Sequence, residues 1–133
     1  MSGRAVEMFG FGVAAFAGFW LMQQSGSTVS VEEAYRLITT DSSVIVLDVR
    51  TPEEFTGNLG HISSAVLLPV QELQQRLAEL ETYKEKTILA VCRTGRRSAK
   101  AVEILTGAGF KACNVEGGMV RWNEKGLPSV KEE

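Results

Sequence analysis

The chain is poor in the residues that several common chemistries depend on. It holds one histidine, His61, among 133 residues. A Ser-His-Asp hydrolase would have to be built on it, and no GxSxG stretch accompanies it. Neither a Cys/His cluster nor a CxxC pair is present, so no metal is expected. The two cysteines, Cys92 and Cys113, are too few for a disulfide scaffold. No sign of charge dominates: the formal net charge is -2, and no basic run interleaves with aromatics, which excludes a nucleic-acid partner. Internal repeats and low-complexity tracts are also missing. What remains is 44% hydrophobic and 23% charged, the balance of one globular domain with a short extension.

The extension is residues 1–27. Within it, Met8 to Met22 carries no charge. A relaxed membrane-spanning helix wants about 20 apolar residues, so this run is short for a span. It fits the apolar core of a signal peptide, and Ser25-Gly26-Ser27 offers small residues ahead of a cut before Thr28. Three readings follow: a signal peptide cleaved near Ser27, a retained membrane anchor over 8–22, or a helix packed on a soluble domain. Positive charge before the run, with Glu32 and Glu33 after it, favours export of residues 28–133 to the periplasmic or extracellular side.

Beyond Thr28 the pattern alternates. Ser30 to Glu33 and Thr51 to Glu54 both read as capping boxes, the second with Pro52 at the first helical position. Val44 to Leu47, Ala65 to Leu68, Thr87 to Val91 and Phe110 to Val115 read as strands. Helical spacing appears from Val31 to Ile38, from Gln71 to Leu80, from Ser98 to Ala108 and from Met119 to Lys125. Strands and helices in alternation predict an α/β domain, its mainly parallel central sheet flanked by helices on both faces. Ligands in such folds sit beyond the carboxyl ends of strands.

One such end is Ile88 to Ser98, ILAVCRTGRRS. An apolar strand runs into Cys92, then Arg93, Thr94, Gly95, Arg96 and Arg97, and a helix opens at Ser98. Backbone N–H groups at a helix start attract anions and favour a thiolate. Cys92 is therefore expected to be a nucleophile in an electropositive loop. Gly95 is expected to take a positive φ so that loop N–H groups converge. Arg93 and Arg96 are expected to face an anionic substrate. Arg97 is expected to be held by a carboxylate, with Asp48 as the candidate. His61 reads as a turn residue and Cys113 as a core residue, with resolution of an oxidised Cys92 as the alternative for Cys113.

Several motifs in order now carry a resemblance. Val46-Leu-Asp-Val-Arg50, Pro52-Glu-Glu-Phe55, Gly60-His-Ile62 and Leu68-Pro69 are followed by Val91-Cys-Arg-Thr-Gly-Arg-Arg-Ser98 and Val115-Glu-Gly-Gly118 with Trp122. From about Thr28 to Pro128 the chain resembles the single-domain rhodanese family of sulfurtransferases. It departs mildly at Ile62-Ser-Ser-Ala65, where the family commonly has Pro-Gly before the alanine. The resemblance implies a Cys92 persulfide, formed from an anionic sulfur donor such as thiosulfate or a polysulfide. A thiol or cyanide acceptor then removes the sulfur, and no cofactor is needed. It implies substrate-binding roles for the loop Arg93 to Ser98, and support from Asp48 and Arg50. Two alternatives stand beside it. One is a persulfide carrier or binding module for a protein partner. The other is a related phosphatase or arsenate reductase, whose Cys-x5-Arg loop places its arginine one residue later than Arg97.

Overall fold

The computed structural model describes residues 25–131. The apolar run 8–22 lies outside the described residues. Among the described residues, no helix is long and apolar enough to cross a membrane.

The elements in chain order are β1 (Thr28–Val29), α1 (Val31–Thr40), β2 (Val44–Asp48), α2 (Pro52–Phe55), β3 (Val66–Leu67) and α3 (Val70–Leu73). A 3₁₀ stretch over Gln74–Tyr83 follows, then β4 (Thr87–Val91), α4 (Arg96–Gly107), β5 (Lys111–Val115) and α5 (Gly118–Glu124). The five strands form one sheet in the order β1-β5-β4-β2-β3. Every pairing in it is parallel.

Alternation along the strands sends side chains to opposite faces. Val46, Leu89, Val91, Cys113 and Val115 pack with Ala34 and Leu37 of α1 and with Met119 and Trp122 of α5. Leu47, Ile88, Ala90 and Ala112 pack on the other face with Leu73, Leu80 and the α4 residues Ala101, Val102 and Leu105. Both faces of β4 are thus covered, and all of its residues are buried. Continuous apolar sequence is what such a central parallel strand requires.

The local signals differ in how fully they form. At α2 the box closes: the Thr51 hydroxyl accepts from the Glu54 N–H at 3.2 Å, and the Glu54 carboxylate accepts from the Thr51 N–H at 3.0 Å. At α1 the Ser30 hydroxyl accepts from the Glu33 N–H, but the Glu33 carboxylate turns to Arg36. The segment expected as a helix from Gln71 to Leu80 splits into α3 and the 3₁₀ stretch, kinked at Arg76 (φ -116°). Leu73 and Leu80 are buried on either side of that kink. Apolar spacing alone does not distinguish the two helix types there.

Candidate active site

Cys92 follows the last residue of β4, and its side chain is 1% exposed. The loop after it closes on the thiol. Gly95 N–H donates to Cys92 Sγ at 3.1 Å, Ser98 N–H at 3.3 Å, and the Ser98 hydroxyl lies 3.3 Å from the same sulfur. Gly95 makes this closure by taking φ +108°, the left-handed region that a side chain disfavours. It is the N-cap of α4, so the start of a twelve-residue helix points at the sulfur.

Burial by itself pushes the Cys92 thiol up. The Ser98 hydroxyl, and then the N–H groups of Ser98, Gly95 and Thr94, outweigh burial and hold the thiol below its ordinary value. Helix-start N–H groups and the basic loop were both expected to favour the thiolate; the causes that lower it are the N–H donors together with the Ser98 hydroxyl, all aimed at the sulfur.

The carbonyls of the loop face the other way. Met119 N–H donates to Cys92 O at 2.8 Å, and Val120 N–H donates to Arg93 O at 3.0 Å. These donors open α5, so one helix start holds the loop's acceptors while another offers donors to the sulfur. The approach is so close that a Cβ on Gly118 (φ +58°) would fall 2.4 Å from Cys92 O and 2.5 Å from Arg93 O.

The ion pairs correct one expectation. Arg97 is held by a carboxylate, but by Glu54 and not by Asp48: Nη1 and Nη2 donate to its two oxygens, each at 2.8 Å. This contact spans 43 residues, so no local spacing announces it. Glu54 thereby does two jobs, closing the α2 cap and fixing Arg97. Its carboxyl falls to about 2, chiefly through the Arg97 hydrogen bond.

Asp48 is committed elsewhere. Arg50 Nε donates to Asp48 Oδ1 at 2.9 Å and Nη2 to Oδ2 at 2.8 Å, with both side chains at most 1% exposed. Arg50 also donates to Glu54 O at 3.2 Å and to Gly60 O at 2.7 Å. Two further donors are thus used on backbone carbonyls, as burial of a guanidinium favours. The pair and its carbonyl contacts tie the end of β2 to α2 and the turn that follows.

Arg93, Thr94 and Arg96 are exposed. Arg93 lines a cleft of about 390 Å³ together with Arg50, Glu53, Glu54, Gly57, Asn58 and Leu59. Arg96 is not among the residues lining that cleft.

Two residues stand apart from the sulfur. His61 Nδ1 lies 2.8 Å from Phe55 O, and its ring stacks on Phe55 at 3.7 Å. It serves the turn, as expected from the sequence. Cys113 falls in the core cluster on the opposite face of the sheet from Cys92.

A residue that sequence reasoning missed is Asn114 in β5, 8% exposed. Its Nδ2 donates to Gly95 O at 3.1 Å, and its Oδ1 accepts from the Ser98 hydroxyl at 2.6 Å. The available signal was an amide inside an apolar strand, a polar group that burial obliges to find partners.

A parallel sheet whose central strand delivers a cysteine into a closed, donor-lined loop defines an α/β thiol-site domain. Comparison with known proteins supplies its family. The model of the Rhodanese-like domain matches residues 30–125. A sulfurtransferase of Allochromatium vinosum is 34% identical over 99 residues, spanning 74% of this chain and 88% of that protein. An uncharacterized protein of Synechocystis is 35% identical over 109 residues, and there the match spans only 58% of the relative's length. The crystal structure of a rhodanese-related protein from Thermoplasma volcanium superimposes with a TM-score of 0.71 at 35% identity, covering 80% of this chain and 99% of that one. The chain belongs to the rhodanese-like family, whose sulfurtransferase members give sulfur transfer as its activity at family level.

Proposed function

We propose that the chain is a sulfurtransferase that carries sulfane sulfur as a persulfide on Cys92. The observation that carries this reading is the convergence of Gly95 N–H, Ser98 N–H and the Ser98 hydroxyl on one buried sulfur. Such donors stabilise a thiolate nucleophile and would equally cradle the charged outer sulfur of a persulfide.

In the first half-reaction the Cys92 thiolate attacks the sulfane sulfur of an anionic donor such as thiosulfate. The donor's S–S bond breaks, and sulfite leaves with the electron pair. In the second, a cyanide or thiol acceptor attacks the outer sulfur. The Cys92–S bond breaks, and the thiolate returns. The exposed Arg93, at the wall of the cleft, is the cation available to draw an anionic donor in. Arg96 adds charge at the same end of α4. Arg97, fixed by Glu54, sets the loop's geometry and leaves substrate contact to the others.

The loop also weighs against phosphoryl chemistry. Its arginine stands five residues after Cys92, and the sixth position is Ser98, whose hydroxyl and N–H both face the sulfur. The space is closed on one atom and not opened around a tetrahedral anion.

A thiosulfate:cyanide assay run beside a phosphatase assay with a chromogenic ester tests the reading. Sulfur transfer that is lost in Cys92→Ser is the expected result. Ester hydrolysis without sulfur transfer would overturn it. Inactivity in both, with a mass gain of about 32 Da for one added sulfur on Cys92, would assign the chain to persulfide carriage for a protein partner. The same spectrum reports whether the mature chain begins near Thr28, as an exported, processed domain would.

A further inference from the structure

Ser98 carries one hydroxyl proton and stands between two acceptors. Asn114 Oδ1 is 2.6 Å from Ser98 Oγ, and Cys92 Sγ is 3.3 Å away. The hydroxyl serves one of them at a time. The amide's orientation is fixed independently, because Asn114 Nδ2 donates to Gly95 O at 3.1 Å and so turns Oδ1 toward Ser98. All three side chains are buried, with Ser98 at 0% and Asn114 at 8% exposure, so an acceptor left empty is penalised.

We propose that Asn114 is a positioning residue: it holds the Ser98 hydroxyl proton whenever the Cys92 sulfur is uncharged and yields it when the sulfur becomes a thiolate. In the thiol, Cys92 S–H donates to Ser98 Oγ, and Ser98 O–H donates to Asn114 Oδ1. When Sγ loses its proton to water, the hydroxyl turns so that O–H donates to Sγ. Asn114 Oδ1 then has no donor from Ser98, so the thiolate is bought at the expense of the Asn114 bond. Asn114 therefore opposes ionisation of Cys92, while Ser98 favours it.

The idea extends the sulfurtransferase reading. As sulfur is accepted, charge passes from Sγ to the outer sulfur and the hydroxyl returns to Asn114. As sulfur is given up, Sγ leaves as thiolate and the hydroxyl swings back to it. The hydroxyl thus follows the charge on Sγ through both half-reactions. Its resting place is set by a residue that never touches substrate.

The test is a pH titration of Cys92 by thiolate ultraviolet absorbance on the full chain, taken as the difference from Cys92→Ser. Asn114→Ala is expected to lower the midpoint, giving about tenfold more thiolate at a pH below it, the size of one pKa unit. Ser98→Ala is expected to raise it by a similar amount. In the Ser98→Ala background the downward shift is expected to vanish, because the Asn114 amide oxygen reaches the sulfur only through that hydroxyl; any rise left there reports the lost Nδ2 bond to Gly95 O. The acid limb of kcat/KM against pH should move with the midpoint.

An Asn114→Ala midpoint that stays put or rises would overturn the proposal. So would a downward Asn114→Ala shift of equal size in the Ser98→Ala background. Asn114→Thr, compatible with a strand and lacking the amide oxygen, carries the same test should the alanine variant be too unstable to titrate. The titration reads ionisation whether or not sulfur is transferred. Failure of the sulfurtransferase reading would appear in the activity assay alone, with the midpoints still ordered as stated.

Discussion

The two cysteines make a controlled comparison. Cys92 and Cys113 are both buried, at 1% and 0% exposure, in neighbouring strands of one sheet or just past their ends. Burial pushes both thiols up. At Cys92 the donors of the loop reverse the effect. At Cys113 the bonds from Ser27 and Gly26 offset only part of it, and the thiol stays above its ordinary value. Burial alone therefore does not decide which way a thiol is shifted. Its balance against the hydrogen-bond donors around the sulfur does.

The largest effect expected from breaking this comparison is on turnover. Cys92→Ser should lower sulfurtransferase activity by about a thousandfold or more, as removal of a covalent nucleophile does. Cys113→Ala should leave kcat/KM within about twofold, with a stability loss of the modest size expected for a small core truncation. Equal losses in the two variants would erase the distinction.

Gly118→Ala attacks the same contrast through the backbone. The added Cβ would collide with the carbonyls of Cys92 and Arg93, at a φ of +58° that already disfavours a side chain. Loss of about 2–4 kcal/mol in a denaturant melt is expected, from backbone strain and steric overlap together. A Cys92 thiol pushed toward its ordinary value should accompany it. A variant with normal stability and normal thiol titration would show that the α5 clamp does not shape the loop.

Alkylation kinetics sharpen the comparison without a mutation. With site-resolved mass spectrometry, the Cys92 rate should rise and level off at a lower pH than the Cys113 rate. A common pH profile for both would contradict the donor argument.

The smallest effect lies at the rim. Glu54 sits at about 2 when folded against a reference of 4.5, so its stabilising contribution is present above pH 4.5 and is lost as pH falls toward 2. The pair with Arg97 is about one-third exposed, so screening reduces the contribution to about 1 kcal/mol. Glu54→Gln should be less stable at neutral pH by that amount, with the deficit closing across the same window. A deficit unchanged between pH 4.5 and 2 would mean that the carboxylate's charge does not matter there.

Local chemistry made much of this legible. The apolar runs located the central strands, because a sheet covered on both faces needs continuous apolar sequence. Pro52 and Thr51 announced α2, and Gly95 announced the left-handed cap before α4. The two-residue strand β1 escaped, since two residues carry no period. The 3₁₀ stretch escaped because Leu73, Leu77 and Leu80 suit either helix type. The partner of Arg97 was misassigned for a physical reason. Asp48 stands at a neighbouring strand end, but Arg50, two residues away, already occupies both of its oxygens. Asn114 and Gly118 act through contacts between distant segments, which only the folded chain brings together.

Those distant contacts bear on how the loop could change. Its path is pinned at Cys92 and Arg93 by the start of α5, at Gly95 by Asn114, and at Arg97 by Glu54. A residue inserted between these points would have no slack to use and could only bulge outward, lifting carbonyls from their donors. Loop length, the close approach at Gly118 and the capping glutamate thus act as one structural unit. A wider cradle for a larger anion would require altering segments that lie tens of residues from the cysteine itself.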